Sequence, residues 1–307
     1  MKTVNFAMFT KNRENPAYLA ARLGADRVAA RLNARITHYV PVVPDNAAEQ
    51  QAFVDQAITT QPDAVLFVAT DAEAMIPSIE KLNAARIPVF SFVNRLQGGE
   101  WVCHAGSDDV ALATNIANYL FLNSNYKGRV LVLAGTHGSI SGRDRLTGFA
   151  QAFAAALANR AHITRVADVP GEFLQSAARR EMARVLAEGV EFDAILAAND
   201  AMALGAIDAL EAANKPLPPI VGVNAVPDAI AAIKAGKLLA TASFDAMKMA
   251  CLATEAAVRY LRGEQVPREI MLPVEIVDRA NCAAWDLPFE ARGLPVWDAI
   301  VANTPSV

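Results

Sequence analysis

Asn15, Asn94, Arg95, Arg145, Asn199 and Asn224 all stand where a strand-like run gives way to a polar crest. Amide groups both donate and accept hydrogen bonds, whereas a guanidinium offers only donors, in a rigid planar fork. Such a set can grip hydroxyls or a carboxylate. It contains no activated nucleophile or acid-base pair, and neither a GxSxG elbow nor a Ser-His-Asp set suggests itself, so binding without catalysis is the expectation. Each asparagine taken alone is more often a cap or turn residue. Arg143 and Arg145 open a helix, where the macrodipole disfavours a cation and something should compensate. Arg143 is read as solvated and Arg145 as meeting a ligand, removable without loss of the fold. Tyr18, Phe173 and Phe244 stand just beyond crests and suit either a core or the flat carbon face of a polyhydroxylated molecule.

These residues need elements to place them, and the stretch from Phe192 to Lys215 shows the pattern. Asp193 to Ala198 is an apolar run of strand length, and Ala203, Ala206, Ile207 and Leu210 recur at helical spacing, so the period changes at Asn199-Asp200. Asp200 reads as the N-cap, leaving Asn199 at the carboxyl end of a buried strand, where open α/β sheets bind ligands. The same unit begins with Val4 to Phe9 and the helix opened by Pro16, and recurs at Arg35 to Val40, Ala64 to Val68 and Val89 to Val93. After Trp101 to Gly106 it starts again. Ser107-Asp108 caps a helix; strands follow at Arg129, His162, Asp193, Ile220 and Leu238, a long helix spans Ala246 to Arg262, and Met271 to Val277 reads as a final strand. Alternation of this kind predicts an α/β protein with two doubly wound parallel-sheet lobes.

The chain has 307 residues, 53% of them apolar, with a net charge of −4. That length suits two cores, and the charge gives no electrostatic reason to expect nucleic acid or a membrane surface. Cys103, Cys251 and Cys282 are too scattered for a disulfide framework or zinc site, and the four histidines lack metal-ligand spacing, so neither metal nor cofactor is expected. The loop Gly135-Thr136-His137-Gly138-Ser139-Ile140-Ser141-Gly142 lies where phosphate loops occur but matches neither GxGxxG nor GxxxxGK[ST], and reads as a flexible turn. No charged-then-apolar leader precedes Val4.

Several motifs together resemble the periplasmic sugar-binding proteins of the ribose-binding type, which share their clamshell with lactose-repressor-like effector domains. They are Asn15-Pro16, Ile87-Pro88-Val89 before Asn94-Arg95, Gly106-Ser107-Asp108, Arg145-Leu146-Thr147-Gly148-Phe149, Asn199-Asp200-Ala201-Met202-Ala203-Leu204-Gly205-Ala206, and Val221-Gly222-Val223-Asn224 followed by Pro227-Asp228. The resemblance covers the chain to about Val277 and implies two lobes joined by three crossovers, residues 1–107 with 243–270 and residues 108–242 with 271–281. Beyond it Pro288, Gly293 and Pro295 break any long element, so residues 282–307 read as a tail packing on the surface through Trp285 and Trp297. It implies ligand contacts at Asn15, Tyr18, Arg95, Arg145, Phe173 and Asn199. Four positions depart from it: Ala17 replaces an aromatic, Asn94 and Asn224 replace aspartates, and Phe244 replaces a glutamine.

From this resemblance the expected role is a periplasmic solute-binding protein, its export signal removed, that delivers a sugar, polyol or sugar acid to the permease of an ABC importer. The ligand would lie in a cleft between lobes, and the protein would act as a monomer without nucleic acid. The alternative is a ligand-sensing clamshell controlling a receptor, kinase or transcription partner; no DNA-reading helix pair precedes Val4. With asparagines for aspartates the site should be more positive, which makes an anionic sugar acid plausible beside neutral polyols and sugars and ranks ribose low.

Overall fold

Short apolar strands buried on both faces alternate with helices here, which is the condition for a parallel sheet with helical crossovers. The structure, a computed structural model, describes residues 3–302. The chain divides into two compact units: the residues up to Ser107 with Asp245–Pro273 and the segment from Phe289, and Asp108–Phe244 with Val274–Pro288.

The first unit begins with β1 (Val4–Phe9), α1 (Pro16–Arg31), β2 (Ala34–Tyr39), α2 (Ala47–Thr60), β3 (Ala64–Phe67), α3 (Ile76–Ala84), β4 (Val89–Phe92) and β5 (Cys103–Gly106). The second unit contributes α4 (Asp109–Asn123), β6 (Lys127–Ala134), α5 (Ile140–Ala158), β7 (His162–Pro170), α6 (Gln175–Ala187), β8 (Ala194–Ala197), α7 (Asp200–Ala212), β9 (Ile220–Val223), α8 (Pro227–Lys234) and β10 (Ala240–Ala242). The chain then returns for α9 (Ala246–Leu261) and β11 (Glu269–Met271), and leaves again for β12 (Ile276–Asp278).

The first sheet runs β11-β5-β4-β3-β1-β2, all parallel; the second runs β12-β10-β9-β8-β6-β7, parallel except for β12 against β10. Every crest that follows a parallel strand therefore lies on the carboxyl edge of its own sheet. In the first unit Phe9 lies between Tyr39, on which it stacks, and Phe67, to which it is tilted, each ring centroid 5.0 Å away, in a core continued by Val54, Ile79 and Leu82.

Three expectations need correction. Met271 to Val277 is not one strand: Pro273 has no N–H to donate to a ladder, and the chain divides there into β11 and β12, which belong to different sheets. The tail is not one piece either. Trp285 donates from Nε1 to Glu275 at 2.8 Å and Lys234 pairs with Asp286 in the second unit, whereas Arg27 donates to the Arg292 carbonyl at 2.8 Å and Arg259 lies over Trp297 in the first. The chain thus passes between units a fourth time, after Pro288. The N-cap of α7 is Asn199 rather than Asp200, for reasons given below.

Helix pairs approach closely at glycines. At Gly148 a Cβ would lie 2.3 Å from the Val110 carbonyl oxygen, so α5 sits on α4 only because that position has no side chain. The obstacle is backbone, which cannot rotate aside. Gly148→Ala is expected to cost about 1–3 kcal/mol through overpacking, read as a lowered midpoint in urea. An unchanged midpoint would mean that the helices separate freely.

Candidate functional site

In the second unit the candidate side chains gather around one buried cation. Arg145, on the second turn of α5, is 3% exposed. Its Nε donates to Asp109 Oδ1 at 2.7 Å and its Nη1 to the Ala198 carbonyl at 2.7 Å. Asp109, the first residue of α4, also accepts from Ser141 Oγ at 3.0 Å. The guanidinium carbon lies 4.6 Å from the centroid of the Phe244 ring and 5.7 Å from that of Phe173. Three helix or strand ends and two aromatic faces thus fix one fork, and Nη2 is its nitrogen without a protein partner among the described residues.

This arrangement overturns two expectations. The compensation sought for Arg145 is a carboxylate of the protein, so the argument from an unbalanced buried guanidinium to an anionic ligand fails. Sequence reading passed over Asp109 because it looks like an ordinary first-turn acid beside the true cap, Asp108, which accepts from Val110 and Ala111. Burial pushes the Asp109 carboxyl up while Arg145 and Ser141 oppose the shift. The second overturned expectation is that Arg145 is removable without cost to the fold: its loss would strand Asp109, so a loss of stability is now expected. The Arg143 side chain is 62% exposed and, among the described residues, pairs with Asp144, in keeping with its solvated reading.

Asn199 and Asp200 are neighbours with different duties. Asn199 Oδ1 accepts from Met202 N at 2.9 Å, which makes it the cap, and Nδ2 donates to the Phe173 carbonyl at 3.0 Å. That second bond ties the crest after β8 to the crest after β7, where Glu172 and Phe173 have left-handed backbones with φ of 55° and 60°. Gly135 makes room for this, because a Cβ there would lie 2.1 Å from the Phe173 ring. The glycine-rich loop thus serves an aromatic side chain. Asp200 is fully buried and turns inward, accepting from Thr241 Oγ1 at 2.6 Å and Val226 N at 3.0 Å. Asn224, at the end of β9, has φ 124°, and its buried Oδ1 has no hydrogen-bond partner among the described residues.

In the first unit the crest after β1 is buried. Thr10, Lys11, Asn12 and Asn15 are each at most 5% exposed. Asn15 caps α1 by accepting from Ala17 N at 3.0 Å, and its own N–H donates to Asn12 Oδ1 at 2.9 Å. Tyr18 is buried one turn on, and Asn94 is buried beyond β4, following Val93 at φ 65°. Arg95 is different: its side chain is 46% exposed and pairs with Glu269 of β11 at 2.8 Å. Lys11 escaped sequence reading, since nothing in its spacing marks a lysine for burial.

Two measurements follow from these buried charges. Arg145→Ala is expected to cost about 3–5 kcal/mol of stability, because it leaves Asp109 buried without its partner. The pair change Arg145→Met with Asp109→Asn should recover most of it, and an equal loss in both proteins would show that the pair is not the cause. For Asp200, desolvation holds the carboxyl at about pKa 6, against the opposing effects of Thr241, Val226 N–H and Arg145. The folded state therefore keeps a proton that the unfolded chain has released, so ionisation of Asp200 lowers stability as pH rises from the usual carboxylate range through 6. Melting temperatures of wild type minus Asp200→Asn should fall across that window and level above it. A constant difference from pH 4.5 to 7.5 would contradict the buried titration.

The model of the periplasmic binding protein domain matches residues 6–265. The ribose import binding protein of Salmonella typhimurium is 30% identical over 90% of each chain. Two solved ABC-transporter solute-binding proteins, each 25% identical, are also similar. The one from Actinobacillus succinogenes with bound D-allose has a TM-score of 0.82 over 91% of this chain and 99% of the other, and the one from Mycobacterium smegmatis with bound glycerol 0.84 over 92% and 96%. With two parallel α/β units, crests on the carboxyl edges and this coverage, the chain belongs to the periplasmic binding protein family.

Proposed function

We propose that the protein is the solute-binding component of an ABC importer and takes a small neutral sugar or polyol. One observation carries the ligand class. The second unit presents a donor, Arg145 Nη2, and an acceptor, Asn224 Oδ1, that the described protein groups leave unused, while the charge of Arg145 is already balanced by Asp109. A donor and an acceptor without net charge suit hydroxyl groups, each of which can accept one hydrogen bond and donate another. Phe173 supplies an apolar face for the carbon side of such a molecule.

Asn15, Tyr18, Asn94 and Arg95 of the first unit are proposed to complete the contacts, with Asn199 contributing the amide hydrogen its cap leaves over. Binding would be the whole activity, with no bond made or broken. The relatives named for ribose import and the solved proteins holding D-allose and glycerol support this class, and the family supports a periplasmic location. Delivery to a permease rests on the importer named for those relatives.

A thermal-shift screen with D-ribose, D-allose, xylitol, myo-inositol, glycerol and D-gluconate tests the reading. At least one neutral compound should raise the melting temperature and gluconate should not, since a molecule that binds only the folded state stabilises it by mass action. A shift with gluconate alone, or with none of the six, would overturn it.

A further inference from the structure

Asn224 is the residue of the second crest with the least support of its own. Its φ of 124° is a conformation that side chains rarely adopt, and the next residue, Ala225, is also left-handed at φ 51°. Two consecutive strained residues persist only where their surroundings over-determine them. The backbone N–H of Asn224 is held by the Ala242 carbonyl at 2.9 Å, which anchors the turn on its strand side. The other side is held from beneath. Val226 N donates to Asp200 Oδ2 at 3.0 Å, Ala225 N donates to Thr241 Oγ1 at 3.3 Å, and Thr241 Oγ1 donates to Asp200 Oδ1 at 2.6 Å.

Direction in this relay is set by the carboxylate. An ionised aspartate only accepts, so the single Thr241 hydroxyl proton goes to Asp200 and a Thr241 lone pair is left facing Ala225 N–H. An amide at position 200 breaks one end. If its oxygen faces Thr241, its NH₂ meets the Val226 N–H; if its oxygen faces Val226, its NH₂ faces Thr241 Oγ1, whose proton must then turn from the acid toward the Ala242 carbonyl, 3.5 Å away. The fold has made space for the acid, because a Cβ on Gly222 would lie 2.3 Å from Asp200 Oδ1. Removing a carboxylate from water is costly, and an arrangement that accepts that cost at a strained turn under a candidate contact is a candidate for function.

We propose that Asp200 is a positioning residue for ligand binding, which through Val226 N–H and the Thr241 hydroxyl holds the strained Asn224-Ala225 turn and so aims Asn224 Oδ1. It rests on the reading that Asn224 contacts ligand, and the experiment separates the two. Amide hydrogen exchange of ligand-free protein at pH 7.5 is measured first. In Asp200→Asn the amides of Ala225 or Val226 should exchange about tenfold faster, the loss of one hydrogen bond, while Ile195 and Leu196 in β8 keep their rates. Thr241→Val should speed exchange at Ala225, whose N–H also lies toward the Asp200 carboxylate, and Thr241→Ser should restore it. Unchanged rates at both turn amides in Asp200→Asn, or acceleration spread through β8 as well, would overturn the positioning role.

Calorimetry with D-ribose, D-allose and myo-inositol, each titrated separately, follows. Against any of these that binds, Asp200→Asn should weaken affinity about tenfold and add nothing to the loss caused by Asn224→Ala, because both act through one oxygen. Fully additive losses would refute the proposal. If Asn224→Ala leaves affinity intact, or none of the three binds, the reading of the site fails, while the exchange rates still decide whether Asp200 holds the turn.

Discussion

The buried pair between Arg145 and Asp109 is the interaction on which the second unit's crest depends. A guanidinium at 3% exposure is tolerable only with its charge balanced and its donors engaged, and both conditions are met by groups from different elements. Asp109 comes from the start of α4, Ser141 from the start of α5, the Ala198 carbonyl from the end of β8, and Phe244 from beyond β10. The pair therefore ties together the ends of elements far apart in sequence. It also decides the electrostatics of the proposed site, since the protein itself supplies the anion.

The parallel topology explains why these elements meet. Crossovers of one hand carry the chain back to the same sheet edge each time, so the segments after β6, β7, β8, β9 and β10 share that edge. Asn199 and Asp200, adjacent in the chain, use the junction of β8 and α7 in opposite ways. One caps its helix and fastens the Phe173 crest, and the other turns into the sheet to reach Thr241 and Val226. A helix N-terminus favours an acid, yet full burial prevails here and raises the carboxyl's proton affinity.

The departures from ribose-type binders acquire a physical sense in this frame. At Asn224 an amide retains an acceptor while removing a charge, and at Phe244 an aromatic ring supports the guanidinium that a glutamine would have to hydrogen-bond. Asp109 balances Arg145 within the second unit, and Glu269 pairs with Arg95 within the first.

Apolar period and crest composition sufficed to show two α/β lobes, the strand ends, and which asparagines, arginine and aromatics stand on the crests. These are local properties, set by neighbours a few residues away. Reading Asp200 as a cap failed because a cap is chosen by the direction of a side chain, and both Asn199 and Asp200 are competent by type. The single strand across Met271 to Val277 failed because two strands on either side of Pro273 carry the same β-pattern whether or not they share a sheet. Asp109 was illegible for a different reason. An acid in a helix's first turn is commonplace, and only the packing of α4 against α5 brings it to 2.7 Å from Arg145. Residue type and period are written along the chain, whereas the partner of a buried charge is decided by which elements the fold packs together, and that information is non-local.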